Sequence, residues 1–384
     1  MANLFKNVDC YNQYLGFIQR AANRAFRHPN EVTLYITNSP SIDLIVYEDI
    51  VRKIRHAPFL KVITLFRGAC YMGKMTTVLI RGRDTPASSK KGRKIVRKYL
   101  RRVGGRNARH ELWMCGGLGG FHTKWAAIER QGEDTMEVLL TSAVLIHAHM
   151  PDRPRQGSQA PNINYLRVIQ MNTVDFYSRF TTVMRDNCTG LRLYRLALSR
   201  DKNRWHKFVP TPSKKIYCAD HARQINFEGV GNYTDVQLFI AARNFLQEYI
   251  ANPIWIISPF IKNTEGRQIE DRQCSILVDL MEDLQLGPDP NITVVHKRSD
   301  AILPRLPNLR FVQQQPNFEH HCKLMVAVNE ANVRIFWTSG NFNRQSMNRA
   351  RRTRMTNINW VADVETAGMR RWRRIQNMLG LPDV

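Results

Sequence analysis

Acidic side chains are scarce in this chain of 384 residues. Asp and Glu total 32 against 57 Lys and Arg, so the formal charge is +25 at pH 7. A cationic excess of this size implies a polyanionic partner, with nucleic acid as the first candidate and an anionic membrane surface as the second. Because 43% of the residues are hydrophobic, a disordered basic tail is excluded and a globular fold is expected.

The chain also lacks paired cysteines and long apolar runs. Its seven cysteines form no C-x-x-C pair, so the spacing indicates neither a zinc site nor a disulfide framework, and we expect no metal and no cofactor. No run of about 18 apolar residues is present, and residues 1–6 lack the apolar core of a signal peptide. We therefore expect a soluble protein of a reducing, intracellular compartment. The nucleus, or a viral particle, fits a nucleic-acid partner.

Hydrophobic patterning predicts strands alternating with helices. Strand-like runs occupy 32–36, 62–66, 76–80, 138–140, 254–257 and 292–295, and helical patterns occupy 11–27, 90–102, 235–250 and 274–286. This alternation favours an α/β sandwich with largely buried sheets. We predict a first half at 1–150 with a basic insertion at 81–109, a connector at 151–231, and a second half at 232–384 with a basic C-terminal region.

A His-x-Lys tripeptide occurs twice, each time beside an apolar run that leads to a small-residue turn. His122 and Lys124 precede the turn at Thr141-Ser142, and His321 and Lys323 precede Thr338-Ser339-Gly340-Asn341. One copy would be unremarkable. Two copies with matching turns indicate a duplicated half-site.

Two histidines and two lysines contain the groups needed to break a phosphodiester without a metal. The reaction requires a nucleophile, a proton donor for the leaving oxygen, and cations around the phosphorus. An imidazole titrates near pH 6.5, so one histidine can attack while the other donates a proton. Alternate residues of a strand share a face, so a His-x-Lys strand would put the lysine beside the imidazole.

These motifs resemble those of the phospholipase D superfamily, whose members carry two His-x-Lys motifs followed by Ser and Asn. The Thr-Ser turns are most similar to the tyrosyl-DNA phosphodiesterase or nuclease branch. The resemblance implies a duplicated phospholipase D-like α-β-α sandwich of two similar halves with the active site between them. It covers both motifs well and the surrounding sheets only in outline.

By this resemblance His122 is the nucleophile that forms a phosphohistidine, and His321 is the general acid. Lys124, Lys323 and Asn341 then bind the phosphate oxygens, with Glu129, Ser142 and Ser339 in support. The chain departs from the family pattern at Val144, which stands where the first motif carries an Asn. Val144 cannot donate a hydrogen bond, so half of the anion cradle is weakened.

Two nearly single-signed basic blocks flank the motifs. Like charges this close repel one another unless an anion neutralises them, so these blocks predict contact with a phosphate backbone. The predicted contact residues are Lys90, Lys91, Arg93, Lys94, Arg97, Lys98, Arg101 and Arg102 in the first block, and Arg351, Arg352 and Arg354 in the second.

The sequence thus favours a metal-independent phosphodiesterase that cuts a nucleic-acid backbone or removes an adduct from an end, with DNA preferred over RNA as the partner. The main alternative is a weakened or inactive descendant that binds or packages nucleic acid, as Val144 and the large charge suggest. A third reading is a phospholipid hydrolase or transferase at a membrane surface. The oligomeric state stays open.

Overall fold

The computed structural model describes residues 4–38, 49–50, 52–54, 57, 60–67, 109–115, 120–143, 162–184, 191–197, 204–208, 229–259, 275–284, 291–296, 309–315, 318–343, 346–347 and 357–381. Its strands are β1 (Leu4–Lys6), β2 (Val32–Asn38), β3 (Lys61–Arg67), β4 (Arg109–Cys115), β5 (Gly120–Phe121), β6 (Trp125–Arg130), β7 (Thr135–Thr141), β8 (Asn162–Asn172), β9 (Leu191–Ala197), β10 (Arg204–Phe208), β11 (Gly231–Tyr233), β12 (Ile254–Ile257), β13 (Ile292–His296), β14 (Arg310–Gln313), β15 (Glu319–His320), β16 (Lys323–Val328), β17 (Asn332–Thr338), β18 (Asn357–Val361) and β19 (Glu365–Gly368). Its helices are α1 (Asn7–Arg27), α2 (Thr173–Phe176), which continues as a π-helical segment at Tyr177–Thr182, α3 (Asp235–Tyr249), α4 (Ser275–Leu284) and α5 (Met369–Leu379).

The chain divides into two compact units. The first unit contains Asn7–Arg153 and Leu166–Ile225, and the second contains Met1–Lys6, Pro154–Tyr165 and Asn226–Val384. Strand β8 therefore contributes residues to both units. The domain boundaries predicted from the sequence stay a prediction.

The first unit contains a mixed sheet with the strand order β8-β7-β6-β2-β3-β4-β9-β10. Strands β2, β3 and β4 are parallel, whereas β6 runs antiparallel to β2 and forms an antiparallel meander with β7 and β8. The parallel strands lie at the centre of the sheet, a position in which strands are usually covered on both faces. Leu34, Ile36 and Val62 are fully buried there.

Helix α1 covers this sheet through a periodic apolar face. Tyr14, Phe17, Ile18 and Ala21 recur at helical spacing and are buried, and the helix contacts β2. Beside this apolar face, Arg20 and Arg24 form ion pairs with Glu137 of β7. The helix is thus fixed to the meander that carries the first Thr-Ser turn.

The second unit repeats the same strand order. Its sheet reads β11-β18-β17-β16-β12-β13-β14, with β12, β13 and β14 parallel and β16 antiparallel to β12. Strand β16 pairs with β17, and β17 pairs with β18 and β19, as β6 pairs with β7 and β7 with β8 in the first unit. Even the short leading strands correspond, because β1 pairs antiparallel with β8 and β11 antiparallel with β18.

The core of the second unit lies between its sheet and helices α3 and α4. Leu238 and Phe245 of α3 pack with Ile256, Met325 and Phe336 of the sheet. Helix α3 begins with a reciprocal capping box, in which the side chains of Thr234 and Gln237 satisfy backbone N–H groups of each other's residue.

The prediction of an α/β protein with two similar halves is confirmed. The shared strand order and the shared strand directions show the duplication independently of the His-x-Lys motifs. The predicted strand at 76–80 and the predicted helix at 90–102 lie outside the described residues. Among the residues described, no helix is long and apolar enough to cross a membrane.

Candidate active site

The first His-x-Lys segment lies between two strands. His122 to Lys124 follow β5 and end where β6 begins at Trp125, so the expectation that the strand pleat aligns these side chains is wrong here. Instead the lysine folds back over the motif. Nζ of Lys124 donates a hydrogen bond of 2.6 Å to the carbonyl of His122 and lies 3.3 Å from Nδ1 of the same residue. The lysine nitrogen still reaches the imidazole, but through a turn of the chain.

The second segment has the same local geometry. Nζ of Lys323 donates a hydrogen bond of 2.7 Å to the carbonyl of His321 and lies 3.0 Å from its Nδ1. Lys323 is the first residue of β16, and Cys322, between His321 and Lys323, is buried. Each lysine is only 1% exposed. The two motifs are therefore structurally equivalent half-sites.

Burial has a large effect on Lys323. The loss of water around its ammonium group lowers the pKa of Lys323 from 10.5 to about 7, and Cys322 opposes this with a smaller effect. Lys323 can therefore lose its proton near neutral pH, where an exposed lysine stays charged.

The Thr-Ser turns lie beside the lysines and are also equivalent. The backbone N–H of Thr141 donates to the carbonyl of Lys124 at 3.1 Å, and Thr338 is the cross-strand partner of Lys323. In both turns the threonine Oγ1 accepts a hydrogen bond of 3.0 Å from the backbone two residues on, at Ala143 and at Gly340. The matching hydrogen bonds put Val144 and Asn341 at equivalent sequence positions.

The two predicted serines are buried in these turns. Ser142 is 1% exposed and Ser339 is fully buried. Ser339 is held by β18, because its backbone N–H donates to the carbonyl of Trp360 and its Oγ accepts from the N–H of Trp360, both at 3.0 Å. These bonds fix the turn that precedes Asn341.

Asn341 carries an unused polar atom. Its Oδ1 is buried and has no hydrogen-bond partner within the part of the chain that the structure describes. A buried amide oxygen without a partner is costly, and the two ends of an amide can exchange by rotation. Asn341 can therefore offer either an acceptor or a donor to a ligand at the end of the turn.

A second repeat, missed in the sequence, lies beside the motifs. Asn162-Ile163-Asn164-Tyr165 in β8 matches Asn357-Ile358-Asn359-Trp360 in β18. The second Asn of each copy donates from Nδ2 to the carbonyl of the first at 3.4 Å. The backbone N–H of His321 donates to the carbonyl of Ile163 at 2.8 Å, so this repeat positions the second motif. The sequence feature that reveals this repeat is the tripeptide Asn-Ile-Asn, which precedes an aromatic residue in both copies.

Glu129 belongs to a different cluster. It lies five residues beyond Lys124 on β6, which is about 16 Å along a strand. Its carboxylate accepts hydrogen bonds from Tyr35 at 2.6 Å and Tyr177 at 2.5 Å. Burial, followed by Tyr177 and Glu129, raises the pKa of Tyr35 well above its usual value. The structure thus brings Glu129 together with two tyrosines rather than with His122.

The predicted nucleic-acid contacts in both basic blocks, from Lys90 to Arg102 and from Arg351 to Arg354, lie outside the described residues, as does Val144. No cluster of three or more His, Cys, Asp or Glu side chains that could hold a metal ion occurs among the residues described.

No family model matches this chain, and no curated protein sequence matches it. A search of solved structures finds the polyphosphate kinase from Porphyromonas gingivalis, with 11% sequence identity and a TM-score of 0.47. The match covers 92% of this chain and 45% of the kinase, so the chain spans less than half the length of that protein.

These findings correct the identification made from the sequence. The assignment to the phospholipase D superfamily, and to its tyrosyl-DNA phosphodiesterase or nuclease branch, does not stand, because no family model and no curated sequence matches the chain. The equivalence of the two half-sites rests on their matching hydrogen bonds and does not depend on that assignment.

Proposed function

We propose that this protein is a phosphotransfer enzyme whose duplicated His–Lys half-sites act, without a metal, on phosphodiester bonds of nucleic acid. The observation that carries this proposal is the pair of buried lysines, each with its nitrogen within 3.3 Å of the motif imidazole. The ammonium of Lys323, whose burial lowers its pKa to about 7, is costly unless an anion compensates it. A phosphate group is such an anion, and the large net charge favours nucleic acid as its source.

In the proposed reaction His122 attacks phosphorus through Nε2 and forms a phosphohistidine, while His321 gives a proton to the leaving oxygen. Water then attacks the phosphohistidine, His321 takes back a proton from that water, and His122 is released. Lys124, Lys323 and Asn341 stabilise the charge on the phosphate oxygens. His321 gives up one proton in the first step and recovers one in the second, so the two steps together return it to its starting state.

The lowered pKa of Lys323 supports the role of His321 as acid. Before phosphate binds, the neutral amine of Lys323 can accept a hydrogen bond from Nδ1–H of His321 across the observed 3.0 Å and so orient the imidazole; once phosphate binds, Lys323 takes up a proton and contacts the phosphate oxygens. The Nε2–H of the imidazolium then remains available to the leaving group. Glu129 and its tyrosines serve as scaffold for β6 in this scheme.

The test is cleavage in EDTA of end-labelled single- and double-stranded DNA and RNA and of an oligonucleotide with a 3′ adduct. Wild type is compared with His122→Ala, His321→Ala and the control His28→Ala, which removes a half-exposed imidazole at the end of α1. We expect product from wild type and the control, and a loss of at least 10³-fold in either motif variant. Equal cleavage by all four forms would contradict the proposal.

A second candidate function is nucleic-acid binding without cleavage. It is favoured by the equivalence of the two turns, because the first turn has Val144 at the position of Asn341 and so lacks one amide. Val144→Asn separates the two functions: a gain of cleavage supports a weakened enzyme, whereas tight binding with no product from either form supports the binder.

A further inference from the structure

Helix α5 has two chemically distinct faces. Trp372, Ile375 and Leu379 are buried, and Trp372 packs edge to face on Trp255 of β12 with ring centroids 5.6 Å apart. The opposite face is exposed and carries Arg370, Arg373, Arg374 and Asn377 at helical spacings of three, four and seven residues. The buried face packs the helix against the sheet, and the basic face is exposed and available to a ligand.

This basic face borders a cavity of 610 Å³ within the second unit. Its polar lining is formed by Lys6 of β1 together with Arg370, Arg373, Arg374 and Asn377, and its apolar lining by Ile163, Phe318 and Met378. The volume lies in the range of cavities that bind small organic ligands. We refer to it as the α5 cavity.

Among the described residues, no acidic side chain pairs with a cation of the α5 cavity. Across the described residues, no ion pair involves Lys6, Arg370, Arg373 or Arg374, although the adjacent Arg371 pairs with Glu365 at 2.5 Å. Four cations around one concave space repel one another unless an anion enters. The lining therefore selects for an anionic ligand with more than one charge.

The spacing of the basic residues on α5 and the apolar lining of the α5 cavity indicate which class of anionic ligand fits. From residue 370 to residue 377 a helix advances about 10 Å, so its basic side chains can contact more than one phosphate of a single strand. Phe318 is half-buried at the cavity wall, where an aromatic ring can stack on a base. A polyanion with flat apolar groups satisfies both features.

We infer that the α5 cavity binds the sugar-phosphate backbone of single-stranded nucleic acid, with Arg370, Arg373, Arg374 and Lys6 on the phosphates and Phe318 on a base. The class of ligand rests on the proposed function, but the inference does not depend on cleavage. It adds a binding site that contains no residue of the His-x-Lys motifs.

The test measures binding of a fluorescein-labelled dT12 strand by anisotropy at several NaCl concentrations, in the 384-residue chain carrying His122→Ala so that the probe is not cut. Each phosphate neutralised on a single strand contributes about 0.7 to the slope of log K against log[salt]. Arg373→Gln with Arg374→Gln should therefore reduce the slope by about 1.4. The matched control is Arg27→Gln with Lys53→Gln, which removes the same charge from exposed positions elsewhere.

A second variant tests the aromatic contact. Phe318→Leu keeps an apolar side chain against the helix and should weaken dT12 binding about 5- to 150-fold through lost stacking. The same variant should bind an abasic strand of equal length as well as the unsubstituted protein does. A loss on both strands would contradict base stacking and overturn the assignment of Phe318.

The outcomes separate the two proposals. If no oligonucleotide binds any form, nucleic acid as the ligand class fails and this inference fails with it. If dT12 binds but the arginine pair variant keeps the slope of its control, the α5 cavity is not the site while the proposed function is untouched. Binding to phosphatidylserine vesicles but not to dT12, lost in the arginine pair variant, would overturn the inference in favour of a membrane ligand.

Discussion

Lys323 links the fold to the proposed chemistry at the scale of a single residue. Its nitrogen is inside the protein, where it donates to a backbone carbonyl and contacts the imidazole of His321. This burial lowers its pKa to about 7. A lysine that is easily deprotonated destabilises the empty protein but is ready to gain a proton when an anion binds beside it.

The sign of the pH effect follows from proton counting. Between pH 7 and about 10.4 the unfolded state keeps a proton on this lysine that the folded state has lost, so the free energy of unfolding rises with pH. Lys323→Met removes this dependence. The variant should exceed wild type in stability most at pH 7, and this advantage should shrink by about 4 kcal/mol between pH 7 and pH 10.

Urea denaturation of wild type and Lys323→Met at pH 7 and pH 10 measures this change in relative stability. The other titrating groups contribute equally to both proteins, so their effects cancel in the difference. Lys53→Met, at an exposed position, is the control and should show the same difference from wild type at both values. A pH-independent advantage for Lys323→Met would contradict a pKa near 7.

At the scale of elements, the end of α5 depends on Gly380. The helix closes with Gly380 in the left-handed region at φ 61°, and the N–H of Leu381 donates to the carbonyl of Gln376 at 3.0 Å. A Cβ at this position would lie 2.3 Å from Cδ2 of Phe318. The glycine is needed both for the backbone conformation and for the close approach of the ring that lines the α5 cavity.

Gly132, in the turn between β6 and β7, has a φ of 85° and nothing within 4 Å of an added Cβ. Gly132→Ala should therefore cost only the conformational term, about 1 kcal/mol. Gly380→Ala adds the overlap with Phe318 and should cost about 2–4 kcal/mol. Urea denaturation of the two variants measures the difference, and equal losses would show that the ring contact at Gly380 has no energetic effect.

For the whole molecule, the dominant physical fact is the charge of +25. Charge of one sign repels itself in the compact state, and salt screens this repulsion. The melting temperature should therefore rise by several degrees when NaCl is raised from about 20 to 200 mM, over the range in which the Debye length falls below about 10 Å. Differential scanning fluorimetry measures the shift, with sorbitol of equal osmolality as the control. A constant melting temperature in NaCl would indicate that the positive charges are already compensated.

Duplication is the second property at this scale. Both units use the same strand order, and in both a His-x-Lys segment directly precedes a strand, β6 or β16, that pairs with the strand ending at the Thr-Ser turn, β7 or β17. The sequence revealed the duplication through its motifs, and the sheets show that it extends to short strands such as β1 and β11. The Asn-Ile-Asn repeat belongs to the same pattern.

Local patterns in the sequence determined much of the architecture. Apolar runs predicted β2, β3, β7, β12 and β13, and helical periodicity predicted α1, α3 and α4, because burial of one face imposes a period on the sequence that forms it. The two motifs, and the expectation that each lysine lies beside its histidine, also came from short-range spacing. These are interactions between residues close in the chain.

Only the tertiary structure decided the rest. Leu4–Lys6 pairs with residues about 160 positions later in β8, and Ile163 accepts the hydrogen bond of His321. The lowered pKa of Lys323 and the gathering of Lys6 and Phe318 around helix α5 likewise depend on residues brought together from distant parts of the chain. The burial of a side chain and the clustering of cations both depend on which residues are close in space. The linear sequence does not state which residues those are.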